Sequence, residues 1–124
     1  MNIVLQFKGS KFRIYSVILD NGSCPSIEFL EDLRKNRPKS YKSMVNLYIR
    51  HANYGEIRDK KKSRSIKGFP GLYEYKTNQG DRLLYCYLVD WKIVLLCGFH
   101  KSNFVKNEYQ KAKDLMDKCM ELEK

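Results

Sequence analysis

Leu72-Tyr73-Glu74-Tyr75-Lys76-Thr77-Asn78-Gln79-Gly80-Asp81-Arg82-Leu83-Leu84-Tyr85-Cys86-Tyr87-Leu88-Val89-Asp90-Trp91-Lys92-Ile93-Val94-Leu95-Leu96-Cys97-Gly98-Phe99 is the stretch that decides the fold. It holds three runs rich in aromatic and branched residues, 72–77, 82–89 and 92–99, parted by Asn78-Gln79-Gly80-Asp81 and by Asp90-Trp91. Apolar runs of six to eight residues bounded by such short polar turns read as an antiparallel meander.

On either side the period is helical. Upstream, Pro25 suits a first helical position, and Ile27, Leu30 and Leu33 follow at helical spacing, so 25–35 is predicted as a short amphipathic helix. Pro38 opens a second, with Tyr41, Met44, Val45, Tyr48 and Ala52 on one face and Gly55 as its stop. Downstream, from about Lys106, Tyr109, Ala112, Met116, Cys119 and Met120 line one helical face. Near the start, 12–19 reads as a strand, residues 2–7 are a candidate partner strand, and Lys8-Gly9-Ser10-Lys11 forms the turn. The order β(β)–α–α–β–β–β–α predicts an α+β fold, a curved antiparallel sheet with its helices on one face. At 124 residues one domain, 1–124, is expected, with 1–11 as an N-terminal strand extension.

Composition narrows the function classes. No apolar run approaches the ~18 residues of a membrane span, and no secretory leader is visible, so a cytoplasmic protein without membrane association is expected. Cys24, Cys86, Cys97 and Cys119 show no C-x-x-C spacing, so metal, redox and small-molecule cofactor readings have no local support. The net charge of +10 suits nucleic acid, an acidic membrane or an acidic protein. It peaks at 58–67, where Arg58, Lys60, Lys61, Lys62, Arg64 and Lys67 face one acid, Asp59. Such a run grips phosphates or merely solvates a loop.

Candidate chemistry lies on the meander. Strand parity puts Glu74 and Lys76 on one face, and Arg82 meets them across the hairpin. That arrangement serves either a site or a solvated cross-strand ion pair, and in the exposed case Arg82 would contribute only ~0–1 kcal/mol to stability. His100 ends the third run and is either a general acid–base group or an exposed strand-end histidine. His51 is fully explained as a surface residue at a helix end. Tyr109 is a core or a site residue, and Trp91 stacks a base or caps its hairpin.

Several segments together resemble the RelE/ParE toxin superfamily, in its HigB-like, phage-derived branch. They are Phe12-Arg13-Ile14-Tyr15, Pro25-x-x-Glu28-Phe29-Leu30, Ile66-Lys67-Gly68, Leu72-Tyr73-Glu74-Tyr75-Lys76, Asp81-Arg82-Leu83-Leu84-Tyr85 and Ile93-Val94-Leu95-Leu96-Cys97-Gly98-Phe99-His100-Lys101. The resemblance covers roughly residues 12–120 and lies in the order and spacing of these motifs, none of which is specific alone. Lys76 stands where the family usually has arginine, and the segment after Lys101 lacks the family's second lysine and its Lys-Thr-Pro stretch.

The resemblance implies a RelE-like fold and a type II toxin that cuts messenger RNA without metal, on the ribosome. It implies restraint by a cognate helix-turn-helix, HigA-like antitoxin. By the same resemblance Glu74, Arg82, His100, Lys101 and Tyr109 would be catalytic, with Arg58, Lys60, Lys61, Lys62, Arg64, Lys67 and Lys76 binding RNA. A ParE-like gyrase poison and a non-catalytic remnant that binds only antitoxin or RNA are the alternatives.

Overall fold

The computed structural model describes residues 1–101 and 105–123. Its elements, in chain order, are β1 (Asn2–Lys8), β2 (Arg13–Ile18), α1 (Pro25–Asn36), α2 (Pro38–Tyr54), β3 (Ser63–Ser65), β4 (Tyr73–Lys76), β5 (Asp81–Leu88), β6 (Lys92–His100) and α3 (Val105–Leu122). Prolines open both early helices, whose first N–H groups have no intrahelical acceptor to lose. Gly55 ends α2 in the left-handed region at φ 86°, where a side chain would be strained. The segment 102–104, on which the missing Lys-Thr-Pro stretch bears, lies outside the described residues.

The fold is α+β, and the expected meander β4–β5–β6 is present and antiparallel. Three features differ from expectation. The sheet is mixed, because β2 runs parallel to β6, with Arg13 beside Lys92 and Ser16 beside Leu95. The six strands lie in the order β1-β2-β6-β5-β4-β3, and β3 sits inside the basic run, where Arg64 pairs with Glu74.

The helices also cover both faces instead of one. Buried Leu33 of α1 and Met44 and Ala52 of α2 pack with Tyr75, Leu83, Tyr85, Ile93 and Leu95. Tyr109, Ala112, Met116 and Cys119 of α3 pack with the alternate residues Leu84, Cys86, Val94 and Leu96. Interior strands buried on both sides read as continuous apolar runs, which is how 82–89 and 92–99 are written.

One irregularity fixes which side chains meet. The β5–β6 register runs Leu84 to Cys97 and then Tyr85 to Leu95, so Leu96 is an extra residue, a bulge. A bulge flips the facing of everything beyond it. Past Leu96, Phe99 therefore joins the α3 face, and His100 turns to the α1/α2 face.

Candidate functional site

Glu74, Arg82 and Tyr109 form one buried cluster on the α3 face. Glu74 is fully buried and Arg82 only 6% exposed. Tyr109 donates its hydroxyl proton to Glu74 Oε2 at 3.1 Å and accepts from Arg82 Nη1 at 2.8 Å. Arg82 Nη1 also lies 3.5 Å from Glu74 Oε2. Arg64, half-exposed on β3, closes the cluster from the solvent side by donating Nε to Glu74 Oε1 at 2.7 Å. Burial, and next the Glu74 charge, holds the Tyr109 phenol above its usual range, so it stays protonated. The bond to Glu74 raises the Arg64 guanidinium.

Two aromatic walls position these groups. Phe69 and Phe99 meet the Tyr109 ring edge-on at 5.7 and 5.9 Å. The Arg82 guanidinium carbon lies 5.9 Å from the Phe99 ring centroid, within cation–π range. Arg82 Nε is buried and has no hydrogen-bond partner among the described residues. An unpaired buried N–H on a cation is costly, so a site that supplies an acceptor there gains by it.

Through Arg64 the cluster adjoins a cationic groove of about 330 Å³, lined by Lys60, Lys61, Arg64, Lys76, Thr77 and Asn78. Lys76 lies opposite Arg82 in the ladder, as strand parity requires. Four cations and no carboxylate line this groove, the charge pattern a phosphate backbone fits. Lys62 bonds the Asn78 side chain at the groove rim. Arg58 ion-pairs with Glu56 at 3.1 Å and does not line the groove, and Lys67 is exposed beyond β3.

His100 lies elsewhere, in a second network on the opposite face. Asp81, fully buried, accepts from His100 Nδ1 on Oδ1 and from Ser40 Oγ on Oδ2, and Arg37 Nε lies 3.1 Å from that same Oδ2. Ser40 Oγ meets Thr77 Oγ1 at 2.7 Å, and Arg37 Nη2 donates to the Gln79 carbonyl at 3.0 Å. His100 Nε2 is 3.4 Å from Asp32 of α1. These groups tie the β4–β5 turn to the α1–α2 junction. Lys101 is exposed, with its backbone N–H on the Gly80 carbonyl at 3.2 Å.

Two expectations are corrected by burial. His51 is not a surface residue but 2% exposed, with Nδ1 2.7 Å from the Tyr75 hydroxyl and Nε2 2.9 Å from the Tyr87 hydroxyl. Burial lowers its pKa to about 4. A polar residue on the apolar stripe of α2 was the available signal, since Met44, Tyr48, His51 and Ala52 share that stripe. The second correction concerns Arg82. Its ion pair is buried and not solvated, so it cannot be counted as a weak surface contact. Ser40 and Asp81 were missed because nothing local marks a serine in a first helical turn, or an acid in a hairpin turn, as buried.

Among the described residues no helix is long and apolar enough to cross a membrane. No group of three or more His, Cys, Asp or Glu side chains among them is placed to hold a metal ion.

Fold and site define a small basic α+β protein with a cationic groove beside a buried glutamate–arginine–tyrosine cluster. The chain belongs to the family described as phage derived protein Gp49-like, whose pattern matches residues 31–121. That family falls in the RelE-like group of type II toxins. No curated protein matches the chain.

Proposed function

We propose that this protein is the toxin of a type II toxin–antitoxin pair, of the HigB-like branch and RelE-like in fold. In this reading it is a metal-independent endoribonuclease that cuts messenger RNA on the ribosome. The observation that carries the reading is the Glu74–Arg82–Tyr109 cluster, joined through Arg64 to the cationic groove.

Cutting RNA this way needs a proton taken from the 2′-hydroxyl, charge stabilised on the phosphorane, and a proton given to the leaving 5′-oxygen. Tyr109 suits the first step as a relay. Its oxygen takes the 2′-hydroxyl proton as its own proton passes along the existing bond to Glu74 Oε2. The new bond joins the 2′-oxygen to phosphorus, the bond to the 5′-oxygen breaks, and a cyclic phosphate and a 5′-hydroxyl result. Arg82, with Nε unpaired, suits the phosphorane oxygens. Lys76, facing Arg82 across the ladder, suits protonation of the 5′-oxygen. Arg64 must leave Glu74 for the phosphate to enter, and its half-exposed side chain lets it swing into the groove.

His100 has no direct part in this scheme and serves to hold the turn that carries Arg82 and Lys76. Lys60 and Lys61 would grip phosphates on either side of the cut, with Arg58, Lys62 and Lys67 adding long-range attraction to ribosomal RNA. A cognate helix-turn-helix antitoxin would be the partner that silences the chain.

One observation favours a second reading, a non-catalytic remnant. Glu74 and Arg82 are as buried as a structural ion pair. Induced expression separates the readings. The nuclease arrests growth and leaves new RNA ends in translated messages. Purified protein with ribosomes and message then cuts equally with and without a chelator, at magnesium levels that keep ribosomes intact. Expression without arrest favours the remnant, and arrest with DNA damage and intact messages favours a gyrase poison.

A further inference from the structure

A cavity of about 780 Å³ lies between α1 and α3 at the far end of β6. Its floor is apolar: Leu19, Phe29, Phe99 and Leu115, with the Phe29 ring lying directly on Gly98. Any side chain at position 98 would collide with that ring, since a Cβ there would stand 2.2 Å from it. The rim reverses the sign of the rest of the molecule. Glu28, Asp32, Glu108 and Asp114 border it, against Lys111 and His100, on a chain of net charge +10.

The ladder partner on that side also stops short of the cavity. β2 accompanies β6 only from Lys92 to Leu95 and then diverges. Among the described residues no strand lies beside the 97–100 stretch on that side. A strand edge without a neighbouring strand presents N–H and C=O groups that a passing chain can complete.

We infer that this groove binds an extended segment of a partner protein, basic and apolar in alternation, that adds as a short strand to β6. Its apolar side chains would sit on Phe29 and Leu115, and its lysines or arginines would meet the four rim carboxylates. A nucleic acid is disfavoured, because those carboxylates would repel its phosphates. The rest of this chain is basic, so a basic segment that binds at all is directed here. The inference is independent of the nuclease reading, since none of its rim acids belongs to the Glu74–Arg82–Tyr109 cluster.

Fluorescence anisotropy with two labelled hexapeptides, alternating lysine–valine and alternating glutamate–valine, tests it on the full chain. The lysine–valine peptide is expected to bind and the glutamate–valine peptide not to. The double variant Glu28→Lys and Asp114→Lys, both at exposed or rim positions, is expected to weaken binding about tenfold or more, with melting temperature unchanged. Methylating alternate backbone nitrogens of the peptide is expected to weaken it comparably, because N-methyl groups remove strand donors but keep charge. The inference is overturned if the lysine–valine peptide does not bind, or if neither change weakens it. It is also overturned if the chain dimerises through this face, shown by sedimentation at rising concentration and abolished by the same double variant.

Discussion

Arg82 follows Asp81 in the chain and His100 follows Phe99 on the neighbouring strand, yet the pairs separate across the sheet. On the α3 face, a buried carboxylate, Glu74, holds two arginines and a tyrosine beside an open cationic groove. On the α1/α2 face, a buried carboxylate, Asp81, holds a histidine, a serine and an arginine, all tying a turn to helices. Both are charged networks around one acid. The first has an unpaired N–H on Arg82 and free cations next to it, whereas the second spends its polar atoms on the protein itself. The contrast teaches that a buried ion pair suggests chemistry only when something beside it is left for a ligand.

The sharpest way to break the contrast is Arg82→Ala. Loss of one partner from a buried pair is expected to cost about 3–5 kcal/mol of stability. Cleavage is expected to fall by roughly 10²–10³, as for removal of one donor to a developing oxyanion. Urea unfolding and RNA-end mapping on the same preparation check both. A variant that folds as well as the parent and still cuts would remove Arg82 from both roles.

The α1/α2 face should respond to acid instead. His51 is held neutral with its pKa lowered to about 4, while an unfolded histidine titrates near 6.5. The unfolded chain therefore binds the extra proton first. The contribution of His51 is complete above about pH 6.5 and is lost as pH falls toward 4, up to about 3 kcal/mol by linkage. Unfolding free energies at pH 7, 5 and 4 are expected to drop less steeply in His51→Gln than in the parent. Equal slopes would show that His51 is not the group responsible.

His100→Gln sharpens the comparison from the other side. It should loosen the β4–β5 turn by about 1 kcal/mol, the scale of a lost hydrogen bond. Cleavage should slow by less than tenfold, with an unchanged pH profile. A loss of a hundredfold or more, with a shifted pH optimum, would return His100 to the site. The smallest effect is expected from Lys60→Ala and Lys61→Ala together. Binding to RNA should weaken and its salt slope fall by about 2, one per lost phosphate contact, without a change in the bond that is cut.

Much of this was legible in the sequence. Element ends fall within about two residues of expectation because Pro25, Pro38 and Gly55 mark boundaries that backbone geometry enforces. Parity brought Glu74, Lys76 and Arg82 together correctly, since no bulge interrupts β4 or the start of β5. The same parity without the Leu96 bulge would carry His100 to the Arg82 face. A one-residue bulge inside an apolar run leaves no mark in composition. The α3 stripe shows that the helix packs but not on which face, so the meeting of Tyr109 with Glu74 and Arg82 depended on tertiary structure. The parallel pairing of β2 with β6 joins segments more than seventy residues apart, and only the folded sheet reveals it.

The central claim, that the α3 face carries the chemistry, is tested most directly by Tyr109→Phe. That change keeps the ring between Phe69 and Phe99 and removes only the hydroxyl that joins Arg82 to Glu74. Cleavage of a translated message is measured by mapping RNA ends, with the melting temperature recorded alongside. The expected result is a rate about a hundredfold lower with only ~1–2 kcal/mol lost in stability. Cleavage at the parental rate by a folded Tyr109→Phe protein would contradict the account.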